Sequence, residues 1–350
     1  MKKGFPSLCM ALAICLSVSL FTACSAISTS DEPAPAPAAQ PSESAPAASE
    51  SKKPLNELKI GLSMQTLGGA YFATQESTFK DLCGGMGITL FSADAQGDMS
   101  KQQSDVEDLI SKGCDVIVIN PKDPKGAVAT TQACTAAGIP VFIMDNSIDP
   151  SADYISMIQS DNYELGNLVG IDVAEHFGSE KIRIGLLSGN QGNALGVSRR
   201  MGTIKGITET QLAASNKSNF EILTQGWGDW NQEGGLSAAE DMLMAAPDIN
   251  CIIAENDDMA LGALQAVQAA NRSDIIIAGV DGQKEMYRMI KEGGQILATG
   301  RNDPAECADL TLQTILKWLD GESVQKVVYL EPVSVNAKNI DQYYDPNSKF

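Results

Sequence analysis

The sequence predicts an α/β protein made of two similar, doubly wound parallel-sheet lobes. Three observations carry that prediction. From Leu58 onward, short runs rich in Val and Ile alternate with segments of helical period. Such continuous apolar runs mark strands buried on both faces, the signature of parallel sheets covered by helices. Second, the chain echoes itself. Asn120 closes the run VIVIN and Asp145 closes PVFIMD 25 residues later, while Asn256 closes CIIAEN and Asp281 closes IIIAGVD, again 25 residues later. The opening runs KIGLS (59–63) and RIGLL (183–187) match as well. Third, 350 residues with 43% apolar content accommodate two lobes, each of about 100–150 residues.

Taken in order, strands are predicted at 58–63, 88–93, 116–120, 140–145, 182–187, 220–225, 251–256, 275–281 and 296–300, with helical segments between most of them. The segment 99–113, MSKQQSDVEDLISKG, reads as a helix stopped by Gly113, a residue suited to the position after a helix end. In each half an Asn and an Asp stand at the carboxyl ends of neighbouring strands. That edge of an open parallel sheet is where ligands bind, and two such edges facing each other form a cleft.

The region before Leu58 reads differently. Lys2 and Lys3 precede an apolar run, Leu8–Phe21, that is short for a membrane span and fits a targeting segment over 1–23. It ends FTAC, which resembles a bacterial lipobox with Cys24 as the lipidated residue; Phe21 stands where such a box usually has Leu. Residues 24–55 are mostly Ser, Ala, Pro and Glu, with six prolines from Pro33 to Pro54. This composition predicts a disordered tether, able to reach on the order of 90 Å if extended. Of eight cysteines, Cys83, Cys114, Cys134, Cys251 and Cys307 fall in the lobes, lack CxxC spacing and adjoin apolar residues. They read as buried thiols rather than disulfides or a metal cluster. A net charge of −19 argues against nucleic-acid binding.

The stretches VIVINPKDP (116–124), IQSDNYELG (158–166), AENDDMALGAL (254–264) and AGVDG (278–282) make the chain similar to the periplasmic sugar-binding proteins of ABC transporters, ribose/galactose type, over essentially all of 56–350. Gene repressors share that core but add an N-terminal DNA-binding domain, which has no counterpart in this sequence. The resemblance implies the periplasmic binding protein type I fold, with three crossovers near Ser160, Asn302 and Leu330. One lobe would comprise 56–160 and 303–330, the other 161–302 and 331–350.

It also implies ligand groups. A sugar offers hydroxyls and apolar C–H faces, so its site needs planar donors, acceptors and stacking rings. Asn120, Asp145, Asn256 and Asp281 are the strand-end candidates. Arg199 is placed in the cleft between the two carboxylates, with Arg200 the fallback; whichever is not used would be a solvated surface arginine. Tyr71, Phe72 and Trp230 match the stacking aromatics, one of the first two doubling as helix packing, while Trp227 and Trp318 look structural. Asn302 matches an amide at a crossover, and Asn146 follows Asp145. Gly69, Val280 and Asn146 depart from the ribose-type pattern by losing bulk or a donor. A roomier site follows, for a hexose or a differently shaped pentose or polyol. In AENDDMALGAL, Asp257 or Asp258 is expected to cap the next helix.

No enzyme motif accompanies these groups. The single histidine, His176, reads as a helix-end surface residue, and GNQGN (189–193) lacks the GK[ST] of a phosphate loop. No metal, cofactor or catalytic residue is expected. The expected protein is a monomeric, membrane-tethered lipoprotein that captures a monosaccharide and delivers it to an ABC-transporter permease. The alternatives are a chemotactic or signalling sensor of a sugar-like or nucleoside ligand, a glycosidase, and a structural surface lipoprotein.

Overall fold

The computed structural model describes residues 53–350. The targeting segment, Cys24 and the tether as far as residue 52 lie outside the described residues. In chain order the first part runs β1 (Lys59–Met64), α1 (Ala70–Gly85), β2 (Thr89–Asp94), α2 (Met99–Ser111), β3 (Val116–Ile119), α3 (Ala127–Ala136), β4 (Val141–Met144) and β5 (Ser156–Ser160). The second runs α4 (Asn162–Phe177), β6 (Ile182–Ser188), α5 (Ala194–Ser215), β7 (Phe220–Trp227), α6 (Gln232–Ala245), β8 (Cys251–Ala254), α7 (Asp257–Ala269), β9 (Ile276–Asp281), α8 (Lys284–Glu292) and β10 (Ile296–Arg301). Then follow α9 (Pro304–Leu319), β11 (Val327–Leu330) and β12 (Ser334–Asn336).

Two six-stranded sheets result, ordered β2-β1-β3-β4-β5-β11 and β7-β6-β8-β9-β10-β12. The orders are equivalent position by position, which is the structural content of the sequence echo. All pairings are parallel except β12 against β10, which is antiparallel. The chain passes between the sheets after Ser160, between Arg301 and Pro304, and between Leu330 and Ser334.

The Val/Ile runs are explained by burial on two faces. In β3, Val116 and Val118 face a core shared with Phe79 of α1 and with Leu312 and Ile315 of α9. Ile117 and Ile119 face the opposite core, with Val106 and Leu109 of α2 and Cys134 of α3. In the second sheet Ile252 and Ile277 pack against α6, α7 and α8, whereas Ile184, Ile253 and Val280 pack against α4 and α5. Each such side chain contributes about 1.5–3 kcal/mol when fully buried. Three strands escaped the sequence reading. β5 (SMIQS) mixes polar and apolar residues, β11 is a partly exposed edge, and β12 has only three residues.

Helix starts are set by side-chain caps. Asp98, Asp161, Asn193, Asn231, Asn256 and Asp303 each accept from a free backbone N–H in the first turn, a contribution of about 1 kcal/mol apiece. Asn256 therefore starts α7, which corrects the expectation that Asp257 or Asp258 would do so. Asn256 has the extended backbone of a cap (φ −145°, ψ 168°), whereas Asp257 is already helical and its carboxylate turns into the sheet.

Candidate functional site

The strand-end residues are brought together at the carboxyl edges of both sheets. Asn120 follows β3 and Asp145 follows β4; Asn256 follows β8 and Asp281 closes β9. All four are buried, as are Arg199 and Asn302. Backbone conformation contributes to this placement. Asp145 (φ 71°), Asp281 (φ 150°) and Trp230 (φ 60°) all adopt positive φ. For side chains of this kind that conformation costs on the order of 1–3 kcal/mol each, and such strain gathers at functional sites.

A run of hydrogen bonds crosses from one lobe to the other. Asn120 Nδ2 lies 3.5 Å from Asp145 Oδ2. The Tyr71 hydroxyl donates to Asp145 Oδ1 at 2.6 Å and lies 3.2 Å from Asn302 Oδ1. Asn302 Oδ1 also accepts from Ser160 Oγ at 2.7 Å, and its amide Nδ2 reaches Asp281 Oδ1 at 3.3 Å. Arg199 Nη2 stands 3.0 Å from the same oxygen. Two of the three chain crossings thus supply groups, Ser160 and Asn302, that join the clusters of the two sheets.

Arg199 is held as a rigid fork. Its Nε donates to Asn162 Oδ1 at 2.9 Å and its Nη1 to the Glu255 carbonyl at 2.7 Å. Its height above the sheet is set by how closely α5 lies on α4. Gly166 and Gly170 face the α5 backbone at Arg199 and Thr203, and Gly202 and Gly206 face α4 at Tyr163 and Asn167; a Cβ at any of them would collide with backbone. Arg200 is not the solvated arginine the sequence suggested. It pairs with the buried Glu255, donates to Ser188 Oγ at 3.1 Å and lies over the Trp227 ring at 5.9 Å. Trp227 is itself 41% exposed, so it is no core residue, whereas Trp318 packs edge-on against Phe142.

The aromatic candidates separate. The Tyr71 hydroxyl belongs to the polar run, while Phe72 packs against the first-sheet core and meets the Tyr71 ring edge-on at 5.3 Å. The Trp230 indole lies flat on Gly189, where any Cβ would strike the ring. The Trp230 carbonyl accepts from Asn256 Nδ2 at 3.2 Å. Asn146 turns its amide to the Pro121 carbonyl at 2.9 Å. His176 is exposed near the end of α4.

Charge is unbalanced here. Burial pushes the Asp145 carboxyl up, opposed by the Tyr71 bond, the Arg199 charge and Asn120. Burial also raises Asp281, against the Arg199 charge and the Asn302 bond. Below it Asp257 is raised by burial and by the Asp281 charge, although Gly282 N, Gln283 N and Thr299 Oγ1 all donate to it. Burial and the Asp145 charge raise Tyr71 well above the ordinary phenol value. The Asp145 and Asp281 carboxyls thus share one guanidinium, with the Asp257 carboxyl behind Asp281, an arrangement that favours a neutral guest rich in hydroxyl donors over an anion. Among the described residues no group of His, Cys, Asp and Glu is arranged to hold a metal ion.

Sequence reasoning missed Gln75, Ser160, Asn162 and Glu255. Gln75 Oε1 accepts from Asn120 Nδ2 at 2.9 Å, which leaves the buried Asn120 Oδ1 as an unpartnered acceptor. Glu255 Oε2 accepts from Gly189 N at 2.8 Å and so anchors the loop under Trp230. Glu255 adjoins Asn256 in the AEN stretch, so its position was visible; Gln75 sits in an unremarked helical face and left no signal. A cavity of about 800 Å³ lies beside the site, lined by Tyr287, Arg301, Tyr343 and Phe350 among others. None of the ten candidate ligand residues lines it.

The family described as periplasmic binding protein domain matches residues 60–323. The ribose import binding protein RbsB of Bacillus subtilis is 31% identical over 320 residues, spanning 91% of this chain and 96% of that protein. Among solved structures, an ABC transporter solute-binding protein from Mycobacterium smegmatis with bound glycerol is 36% identical. It superposes with a TM-score of 0.75 over 84% of this chain and 98% of the other. A periplasmic solute-binding protein from Actinobacillus succinogenes with bound D-allose is 25% identical, with a TM-score of 0.74 over 82% of this chain and 100% of that one.

Proposed function

The chain belongs to the periplasmic binding protein family, and from that premise we propose that it captures a monosaccharide or polyol between its lobes and hands it to an ABC-transporter permease. One observation supports the reading above the others. The polar run Asn120–Asp145–Tyr71–Asn302–Asp281–Arg199 sits at the carboxyl edges of both sheets and joins them. A ligand that replaces those bonds touches both lobes at once, and only such a ligand shifts an open–closed equilibrium.

The chemistry suits hydroxyls. Each is a donor and an acceptor, so it satisfies a buried carboxylate on one side and the Arg199 fork on the other. Trp230 and Tyr71 offer ring faces to apolar C–H groups. Names of relatives that import ribose or hold D-allose and glycerol support the same ligand class. Attachment through Cys24 and a tether to residue 55 would hold the lobes outside the membrane near the permease. Among the described residues no helix is long and apolar enough to cross a membrane.

Thermal-shift screening of the full chain against pentoses, hexoses, polyols and nucleosides tests the reading, followed by calorimetry on any hit. One-to-one binding that is lost in Asp281→Ala, with the fold retained, is the expected result. A stoichiometric hit that survives Asp281→Ala undiminished, turnover of the sugar, or the absence of any hit overturns it.

A further inference from the structure

We infer that Phe350 is a positioning residue for the ligand site, the tip of a latch that ties Tyr71 on the first lobe to the second. The inference rests on the assignment of Tyr71 to that site. From β12 onward the chain belongs to the second-sheet core through Val335 and Ile340, with Tyr343 and Tyr344 packed against it. Residues 345–350 then leave that core. Lys284 of α8 holds them from the second-lobe side by donating to the Ser348 carbonyl at 2.6 Å. A tight turn follows, in which Ser348 N approaches the Asp345 carbonyl at 3.1 Å and Ser348 Oγ donates to the Phe350 carbonyl at 2.8 Å. Beyond the turn the contacts are with the first lobe. Lys349 pairs with Asp81 of α1 at 3.1 Å, and the Phe350 ring meets the Tyr71 ring edge-on at 5.5 Å and 83°.

The two first-lobe contacts are unequal. Lys349 and Asp81 are both largely exposed, and a pair of that kind adds little. The ring contact is the substantial one, since edge-to-face aromatic pairs contribute beyond the area they bury. It bears on Tyr71, whose hydroxyl reaches Asp145 and Asn302. The segment also overlies the 800 Å³ cavity rather than a packed core. Few contacts therefore oppose its release from α1. If the lobes separate, Phe350 must leave Tyr71 or residues 345–350 must leave Lys284, so the ring contact favours the closed arrangement and holds Tyr71 in its bonded rotamer.

The test compares Phe350→Ala with Phe350→Trp, which keeps a ring, in the full chain. Hydrogen exchange without any sugar reads the latch itself. Phe350→Ala is expected to raise exchange in the first turn of α1 and at the crossover around Asn302, with Phe350→Trp restoring protection. With the best sugar from the screen, Phe350→Ala should release it roughly 3- to 10-fold faster at nearly unchanged association. Exchange and release indistinguishable from wild type in Phe350→Ala overturn the inference. If wild type binds no sugar, the transport reading falls, and the exchange comparison still decides the latch.

Discussion

Arg199 Nη2 lies 3.0 Å from Asp281 Oδ1, with 4% and 11% of the two side chains exposed. This pair is the centre of the candidate site and also its principal liability. Removing one member strands a buried charge, which typically costs about 3–5 kcal/mol. Arg199→Met should therefore lower stability by about that much in urea denaturation. Arg199→Met/Asp281→Asn should recover part of the loss, because the Asp281 charge goes with its partner while the buried Asp145 still lacks the Arg199 charge. Neither variant should bind sugar by calorimetry; a double variant that binds as wild type would remove the pair from the site.

Protonation gives a second prediction. Asp257 is raised from 3.8 to about 7 by burial and by the Asp281 charge. A carboxyl raised on folding holds its proton in the folded state at pH values where the unfolded chain has lost it. Its contribution is thus fully present below the unfolded value and is lost as pH rises through the folded one. Stability from this group should fall between about pH 4 and 7. Asp257→Asn keeps an acceptor for Gly282 N and Gln283 N but carries no charge. Its urea midpoint should equal wild type near pH 4 and exceed it at pH 8; parallel pH profiles would rule the group out as a source of the slope.

Gly189→Ala tests the ring platform without touching a polar group. The new methyl would enter the space of the Trp230 indole, so the ring or the Glu255-anchored loop must move. Tryptophan emission should shift and sugar affinity drop about tenfold or more, with a stability loss of roughly 1–3 kcal/mol as for other overpacked sites. Affinity unchanged in the face of shifted emission would show that the ring does not touch the ligand.

The five cysteines of the described residues are free and buried. Burial pushes Cys83 and Cys134 up to about 12 and raises Cys114, Cys251 and Cys307 as well. Thiolate is the reactive form, so peptide mapping after alkylation of the folded protein should find all five unmodified, and all five modified in denaturant. Rapid labelling of any one in the folded state would identify a local opening at that position.

Much of the fold was legible because it rests on local patterns. Val116–Ile119 and Cys251–Ala254 are apolar on both faces, so they could only be interior strands of a covered parallel sheet. The repeated Asn-to-Asp spacing then placed a polar pair at the same edge of each sheet, since equal strand order in both halves maps equal spacing onto equal geometry. β5 and β12 were not legible, because a short strand is defined by its neighbours' free N–H and C=O groups and hardly by its own residues. Side-chain roles at the site were least legible of all. The sequence favoured Arg199 over Arg200 for the cleft but gave no role to the second arginine; α5 seated on α4 through interlocking glycines turns one guanidinium to Asp281 and the other to Glu255. Asn256 took the cap expected of its acidic neighbours because Asp257 found three donors inside the sheet. Periodicity and spacing in the sequence determined two matched sheets with polar carboxyl edges. Only the tertiary structure decided which of those polar groups meet, because hydrogen bonds between residues far apart in the chain depend on helix seating and lobe approach that no local pattern encodes.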